Sequence, residues 1–297
     1  MKPVNGTELA SGVVVATGSP SDDATFTLTE QDTDDRRAVT VGSIPDVLDE
    51  LRERCLRWPQ AAAICSDVLR AFEPDAPAFA GVVTESLAYS TLQSGPEFAR
   101  WLGERGPARP VNLADPVQAE RVEDTLYVRF NRRQRHNAFS TDARAALLEA
   151  LEVARLDPSV TDVVLSGNGP SFCSGGDLAE FGTFDDPATA HLARTRHSPA
   201  LVLDELTVRL GTRCRAEVHG QVLGSGLEMA AFCGWVRSRP DAVLGLPELS
   251  LGLIPGAGGT VSIARRIGRW RTAYLVLSGQ TIDAPTALRW GLIDEIL

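Results

Sequence analysis

Cysteine is scarce here and shows no pairing. The five residues Cys55, Cys65, Cys173, Cys214 and Cys233 are odd in number, widely separated and form no repeated doublet. That pattern speaks against a disulfide framework and against a zinc site, and for a reducing, cytoplasmic setting. Positive charge is in deficit as well. A net charge of −10 over 297 residues argues against nucleic acid or an anionic membrane as a partner, because both need a cationic surface. No basic start leads into an apolar signal core, and no apolar run approaches the roughly 20 residues that cross a bilayer. His191 and His197 do not fall on one helical face, so no metal site is expected from them.

The 43% hydrophobic content in 297 residues suffices for a large core in one or two domains. Residues 1–42 are rich in Thr, Asp, Ser and Gly and read as a polar, partly flexible segment with at most two strands, at 13–16 and 24–29. At Ser43-Ile44-Pro45-Asp46 a helix start appears: a Ser cap, an acid three residues later and Pro in the first turn. A helical region then spans 43–116, with helices at 47–57, 61–72, 80–92 and 97–104 and a loop at 106–116.

From 117 to 297 the pattern becomes that of a mixed core. Leu126, Val128 and Phe130 alternate as in a half-buried strand, Leu147, Leu148, Leu151 and Ala154 form a helical stripe, and Val163-Val164-Leu165 suits a buried strand. Further strands are expected at 217–222, 235–238 and 243–245, and helices at 226–233, 259–267, 271–277 and 284–290. Gly279 and Gly291 stand where glycines end the last two.

Two glutamates in glycine-rich frames carry the chemistry: Gly224-Ser225-Gly226-Leu227-Glu228, and Leu246-Pro247-Glu248 followed by Gly252 to Thr260. A carboxylate that opens the apolar run 227–232 is costly to bury unless it finds a partner or a proton, which makes Glu228 a candidate for proton transfer. Upstream stands Ser171-Phe172-Cys173-Ser174-Gly175-Gly176-Asp177-Leu178, preceded by Arg135-His136-Asn137-Ala138-Phe139, and the chain closes on Gly291-Leu292-Ile293-Asp294-Glu295.

In this order and at these intervals the motifs resemble those of the crotonase superfamily, the enoyl-CoA hydratase and isomerase group, over about residues 118–297. The resemblance implies an α/β fold, a spiral of ββα units with an associated helical region. It implies an acyl-CoA thioester substrate, coenzyme A entering only as part of that substrate, no permanently bound cofactor, and a homotrimer or hexamer. Amide groups of Gly176 and Ser225 would polarise the thioester carbonyl, Ser225 standing where the family usually has glycine. Glu228 would deprotonate a water, Glu248 would exchange the proton at the α-carbon, and the Gly256 amide would help to hold the water. Both glutamates together favour hydration of a trans-2-enoyl-CoA; double-bond isomerisation through Glu248 and a noncatalytic CoA-ester-binding homologue remain as alternatives.

For coenzyme A the resemblance implies contacts along His136, Ala138, Ser174, Asp177 and Leu178, with Arg132, Arg133 and Arg135 available to phosphates. The helices that usually follow the core have a counterpart in residues 48–105, so a circular permutation is expected. It places 45–105 on the core, with Trp101 and Arg105 near the adenine and its 3′-phosphate. The competing signals are incomplete. Leu223 stands where a nucleophile elbow has glycine, and Gly256-Ala257-Gly258-Gly259 lacks the Lys of a phosphate loop. Cys173 has no evident base beside it and reads as packing.

Overall fold

The computed structural model describes residues 6–109, 111, 113–184 and 186–297. The expected loop 106–116 therefore lies partly outside the described residues. Near the N-terminus is a four-stranded sheet. Strand β1 (Thr7–Ala10) pairs antiparallel with β2 (Val13–Thr17), β2 runs parallel to β3 (Phe26–Thr29), and β3 runs parallel to β4 (Ala38–Thr40). Four strands thus stand where two were expected. The additional β1 and β4 are short and partly polar, and they are held by pairing with distant residues rather than by a readable alternation. Phe26 and Leu28 are fully buried.

Four helices follow: α1 (Ile44–Arg57), α2 (Pro59–Arg70), α3 (Ala78–Gln93) and α4 (Pro96–Arg105). The first begins as its sequence dictates. Ser43 Oγ accepts the Asp46 amide at 3.4 Å, and Pro45 occupies the first turn, where its missing N–H costs nothing.

The core opens with the antiparallel hairpin β5 (Val117–Val122) and β6 (Thr125–Phe130), then α5 (Thr141–Leu156) and β7 (Asp162–Gly167) parallel to β6. Next come α6 (Pro187–Arg196), α7 (Pro199–Leu210), β8 (Cys214–Val218), β9 (Gln221–Leu223), α8 (Ser225–Phe232), β10 (Trp235–Ser238) and β11 (Val243–Gly245). The last elements are α9 (Gly259–Ser278), β12 (Ile282–Asp283), α10 (Ala284–Trp290) and β13 (Glu295–Ile296). One sheet runs β13-β10-β8-β7-β6-β5 and a second β12-β11-β9.

The strand expected at 217–222 is two strands in two sheets. Gly220 turns the chain at φ +55°, where a Cβ would lie 2.0 Å from the Pro170 carbonyl oxygen, so β8 stays in the first sheet and β9 crosses to the second. Five further elements go beyond the sequence reading: β5, α6, α7 and the two-residue strands β12 and β13. Strand β5 is an edge strand with an almost wholly exposed face, and α6 has a weak apolar stripe. Helix α7 was legible: Pro199 stands at N1, Ser198 Oγ accepts the Leu201 amide, and Leu203, Leu206 and Leu210 share one buried stripe. Helix α9 keeps a break at Gly268 (φ 81°, ψ 157°), which divides it into the two stretches expected.

The four N-terminal helices share the hydrophobic core of the rest. Helices α1, α2 and α3 all pack on α9, α3 also packs on α6, and α4 meets the 3-10 turn Glu248–Leu251. Leu51, Leu69, Val82 and Phe98 join Leu249, Ile263 and Leu275 in one cluster. Each such side chain stabilises the docking by about 1.5–3 kcal/mol.

Candidate active site

Two backbone segments form one wall of a cavity. After β7 the chain runs back alongside Phe139: the Phe139 amide donates to the Gly175 carbonyl at 2.8 Å, and the Asp177 amide donates to Phe139 O at 2.9 Å. Gly176, between them, lines the cavity, as does Ser225 at the first position of α8. Among the described residues, neither the Gly176 nor the Ser225 amide donates a hydrogen bond. Gly224 opens α8 at φ 47°, and a Cβ there would lie 2.4 Å from Glu248 Oε1, so the entry to α8 and the second carboxyl are fitted to each other.

Three carboxyls converge behind this wall. Glu228 Oε2 accepts the amides of Ala257 at 2.7 Å and Gly259 at 2.8 Å, the open donors at the N-terminus of α9. Glu248, in its 3-10 turn, is buried, and its Oε2 has no hydrogen-bond partner among the described residues. The third is Glu85, from α3, at 1% exposure. Its Oε1 accepts the Gly258 amide at 2.7 Å, and its Oε2 accepts the Thr260 amide at 2.8 Å and Thr260 Oγ1 at 2.7 Å. Glu228 and Glu85 thus hold alternate amides of the same helix start.

Burial, then the nearby Glu85 and Glu248 charges, push Glu228 well above the usual carboxylate range, against the pull of its two amide donors. Burial lifts Glu248 to about 8 and Glu85 to about 7, the latter opposed by Thr260 and Gly258. Tyr89, four residues after Glu85 on α3, lines the cavity beside Gly256. Glu85 and Tyr89 lie in the stretch 48–105 read as a counterpart of the helices that follow the core, but no role is read for either from the sequence; the local signal is an acid in the otherwise uncharged 80–92.

A family model described as Enoyl-CoA hydratase/isomerase matches residues 120–297. The chain belongs to the enoyl-CoA hydratase/isomerase family. It is 34% identical to 2,3-dehydroadipyl-CoA hydratase of Escherichia coli over 179 residues, 59% of this chain and 67% of the relative. Over 161 residues it is 35% identical to the peroxisomal bifunctional enzyme of Danio rerio, covering 54% of this chain and 21% of that one. An enoyl-CoA hydratase structure from Thermoplasma volcanium superposes with a TM-score of 0.53 at 30% identity, covering 62% of this chain and 72% of the other. The α/β fold is that of the crotonase superfamily.

In this enoyl-CoA hydratase/isomerase family member the positions read for coenzyme A divide into engaged and open groups. Arg132 is 1% exposed and ion-paired to Asp177 at 2.8 Å, with further bonds to the carbonyls of Val111 and Ala138. It is a buried strut and is withdrawn from the arginines read as open to phosphate. Asp177 also accepts Arg135 at 3.2 Å and the Ala179 amide at 3.1 Å, and these donors hold its carboxyl below the usual range despite burial. The Ser174 amide donates to His136 O at 3.0 Å, and the His136 ring meets Ser171 Oγ at 2.9 Å.

Open groups remain: Leu178 is exposed, and among the described residues the Arg133 side chain carries only a 3.3 Å bond to Asn131. Trp101 and Arg105 come from α4 to the same loop. Arg105 donates to the carbonyls of Leu178 and Phe181 and lies 5.2 Å from the Trp101 ring, which meets Phe181 edge-on. Gly256 lines the cavity, although Ala257 and Gly259 are the donors to Glu228. Cys173 is buried and its thiol is pushed up to about 12 by burial, an inert packing group.

Proposed function

We propose that the protein adds water across the double bond of a trans-2-enoyl-CoA. The observation that carries this reading is one cavity lined by two buried carboxyls, Glu228 and Glu248, and by the two unengaged amides of Gly176 and Ser225. The amides receive the thioester oxygen, where charge develops as the enolate forms. Burial and mutual repulsion leave the carboxyl pair holding one proton at neutral pH. We place it on Glu248, whose Oε2 has no donor, and leave Glu228 anionic under its two amide donors.

Glu228 then takes a proton from the water whose oxygen bonds to the β-carbon, and the α-carbon receives the Glu248 proton, so both new bonds form on one face. Gly256 helps to hold the water. Coenzyme A runs along 136–138, 174–178 and Arg133, with its adenine end by Trp101 and Arg105. The same reading includes the displaced helices: residues 44–105 stand in for those that follow the core in relatives, supported by their packing on α9 and by the reach of α4 to the 178–181 loop. A cytoplasmic setting and assembly into trimers or hexamers complete it.

The test follows the absorbance of the conjugated thioester in crotonyl-CoA and longer enoyl-CoAs. The expected result is loss in the wild type, with 3-hydroxyacyl-CoA as product, and none in Glu228→Gln or Glu248→Gln. Conversion of a 3-enoyl-CoA without hydration moves the assignment to isomerisation, a second reading favoured by the unpartnered Glu248 oxygen. Binding without turnover of any of these substrates would leave the noncatalytic homologue.

A further inference from the structure

The cavity that holds the two carboxyls has a second, cationic wall. Arg144, on the first turns of α5, and Arg194, on α6, both line it. Among the described residues Arg194 is fixed by neutral groups only: Nε donates to Ser86 Oγ at 3.0 Å, Nη1 to Gln93 Oε1 at 3.0 Å, and Nη2 to Ser86 O at 3.3 Å and to Ser90 Oγ. Its guanidinium lies 4.5 Å from the centre of the Tyr89 ring. Arg144 has no hydrogen bond or ion pair among the described residues, although it is drawn into the cavity wall.

The acids that face the two arginines are occupied elsewhere. Glu180, which faces Arg144, receives the Thr141 amide at 2.7 Å and Thr141 Oγ1 at 2.9 Å. Glu85, which faces Arg194, is committed to Gly258 and Thr260. Neither guanidinium therefore has an ion pair among the described residues; burial lowers the pKa of each, Glu180 and Glu85 act in the opposite direction, and both groups stay charged at neutral pH. A guanidinium in so dry a place with no hydrogen-bonded counter-ion is costly and is relieved when an anion arrives.

The position of the wall says which anion. Tyr89 touches both regions: a Cβ on Gly256 would lie 2.5 Å from its Cε2, and the Arg194 guanidinium lies over its ring. Arg194 thus lies one aromatic ring from the segment 256–259, whose amides hold Glu228, and Arg144 lines the same cavity. The groups assigned to the phosphates, Arg133 and Arg105, do not line this cavity. We propose that Arg144, beside the pre-fixed Arg194, binds a carboxylate at the far end of the acyl chain, so that the preferred substrates are half-thioesters of dicarboxylic acids. A guanidinium fork matches a carboxylate in geometry and charge, and an acyl chain ending in methyl leaves both cations unsatisfied.

The inference takes the acyl-CoA site from the proposed function, and its test is separable from hydration. The saturated pair hexanoyl-CoA and adipyl-CoA is titrated by calorimetry into the wild type, Arg144→Gln and Arg144→Lys, with free coenzyme A as a control. The matching pair, trans-2-hexenoyl-CoA and its analogue with a carboxylate in place of the terminal methyl, is assayed for kcat/KM. The wild type should prefer the carboxylate-ended member by roughly tenfold or more, the worth of one charge-assisted hydrogen bond. Arg144→Gln should erase that preference by weakening the carboxylate-ended ligand alone, and Arg144→Lys should restore part of it, with melting temperatures close to wild type.

Equal binding of both members by the wild type overturns the inference. So does a loss in Arg144→Gln that free coenzyme A shares, which would assign the arginine to a phosphate. If no enoyl-CoA is hydrated but the binding preference and its dependence on Arg144 persist, the hydratase reading falls and this one stands. If both enoyl-CoAs are hydrated with equal kcat/KM, the reverse holds.

Discussion

Residues 120–297 present their chemistry in short contiguous motifs, whereas residues 44–105 act through single side chains spaced along helices. Gly175-Gly176, Ser225 and Glu228 fall within stretches whose glycines and carboxylates suggest a use before any fold is known. Glu85, Tyr89, Trp101 and Arg105 stand among ordinary helix-forming residues. Yet Glu85 holds the same helix N-terminus as Glu228, and Tyr89 closes the cavity. Being outside the family match is therefore not the same as being outside the site.

If the first region carries the reaction, Glu228→Gln and Glu248→Gln are the most damaging changes. Each should lower kcat by about 10²–10⁴ with the far-ultraviolet spectrum unchanged, since each removes one positioned proton-transfer group. Loss of folding instead would move these residues from chemistry to scaffold.

Glu85→Ala tests the second region. It leaves the Gly258 and Thr260 amides without their acceptor, at about 1–3 kcal/mol of stability. It should also shift the pH dependence of kcat, because burial raises Glu228 and Glu248 and the Glu85 charge that adds to it is gone. A stability loss with an unmoved pH profile would confine Glu85 to structure. Gly224→Ala joins the regions of the core: a strained backbone costs about 1–3 kcal/mol, and the displaced Glu248 should lower turnover more than it lowers melting temperature.

A smaller effect is expected from pH alone. Glu248 and Glu85 are raised on folding, so the native state binds more protons than the unfolded chain, and stability declines as pH rises from the ordinary carboxylate range to about 8. Glu248→Gln should flatten that decline in melting temperature between pH 5 and pH 8.5; an unchanged slope would mean that Glu248 does not contribute to it. The smallest expected change is for Trp101→Ala, a rise in KM of roughly twofold to tenfold at constant kcat, in keeping with one modest stacking contact.

The difference between the regions also explains what was legible. The Ser43 cap, the alternation of β6 and the C-terminal glycines of α9 and α10 are local signals and match the structure. The crossing at Gly220, the pairing of β1 and β4 and the edge strand β5 depend on partners remote in sequence. Arg132 was open to phosphate by composition, and only packing against Asp177 withdraws it.

The sequence by itself determined the α/β core of this family, the carboxylates at 228 and 248 and the glycine-rich turns around them, because those features rest on backbone geometry and on the cost of placing an acid in an apolar run. Tertiary structure decided that Glu85 would share the start of α9 with Glu228, and that Arg144 and Arg194 would line the same cavity as Glu228 and Glu248 with no ion pair of their own among the described residues. Charge and burial at a point are sums over elements far apart in the chain, and only the packed fold brings those elements together.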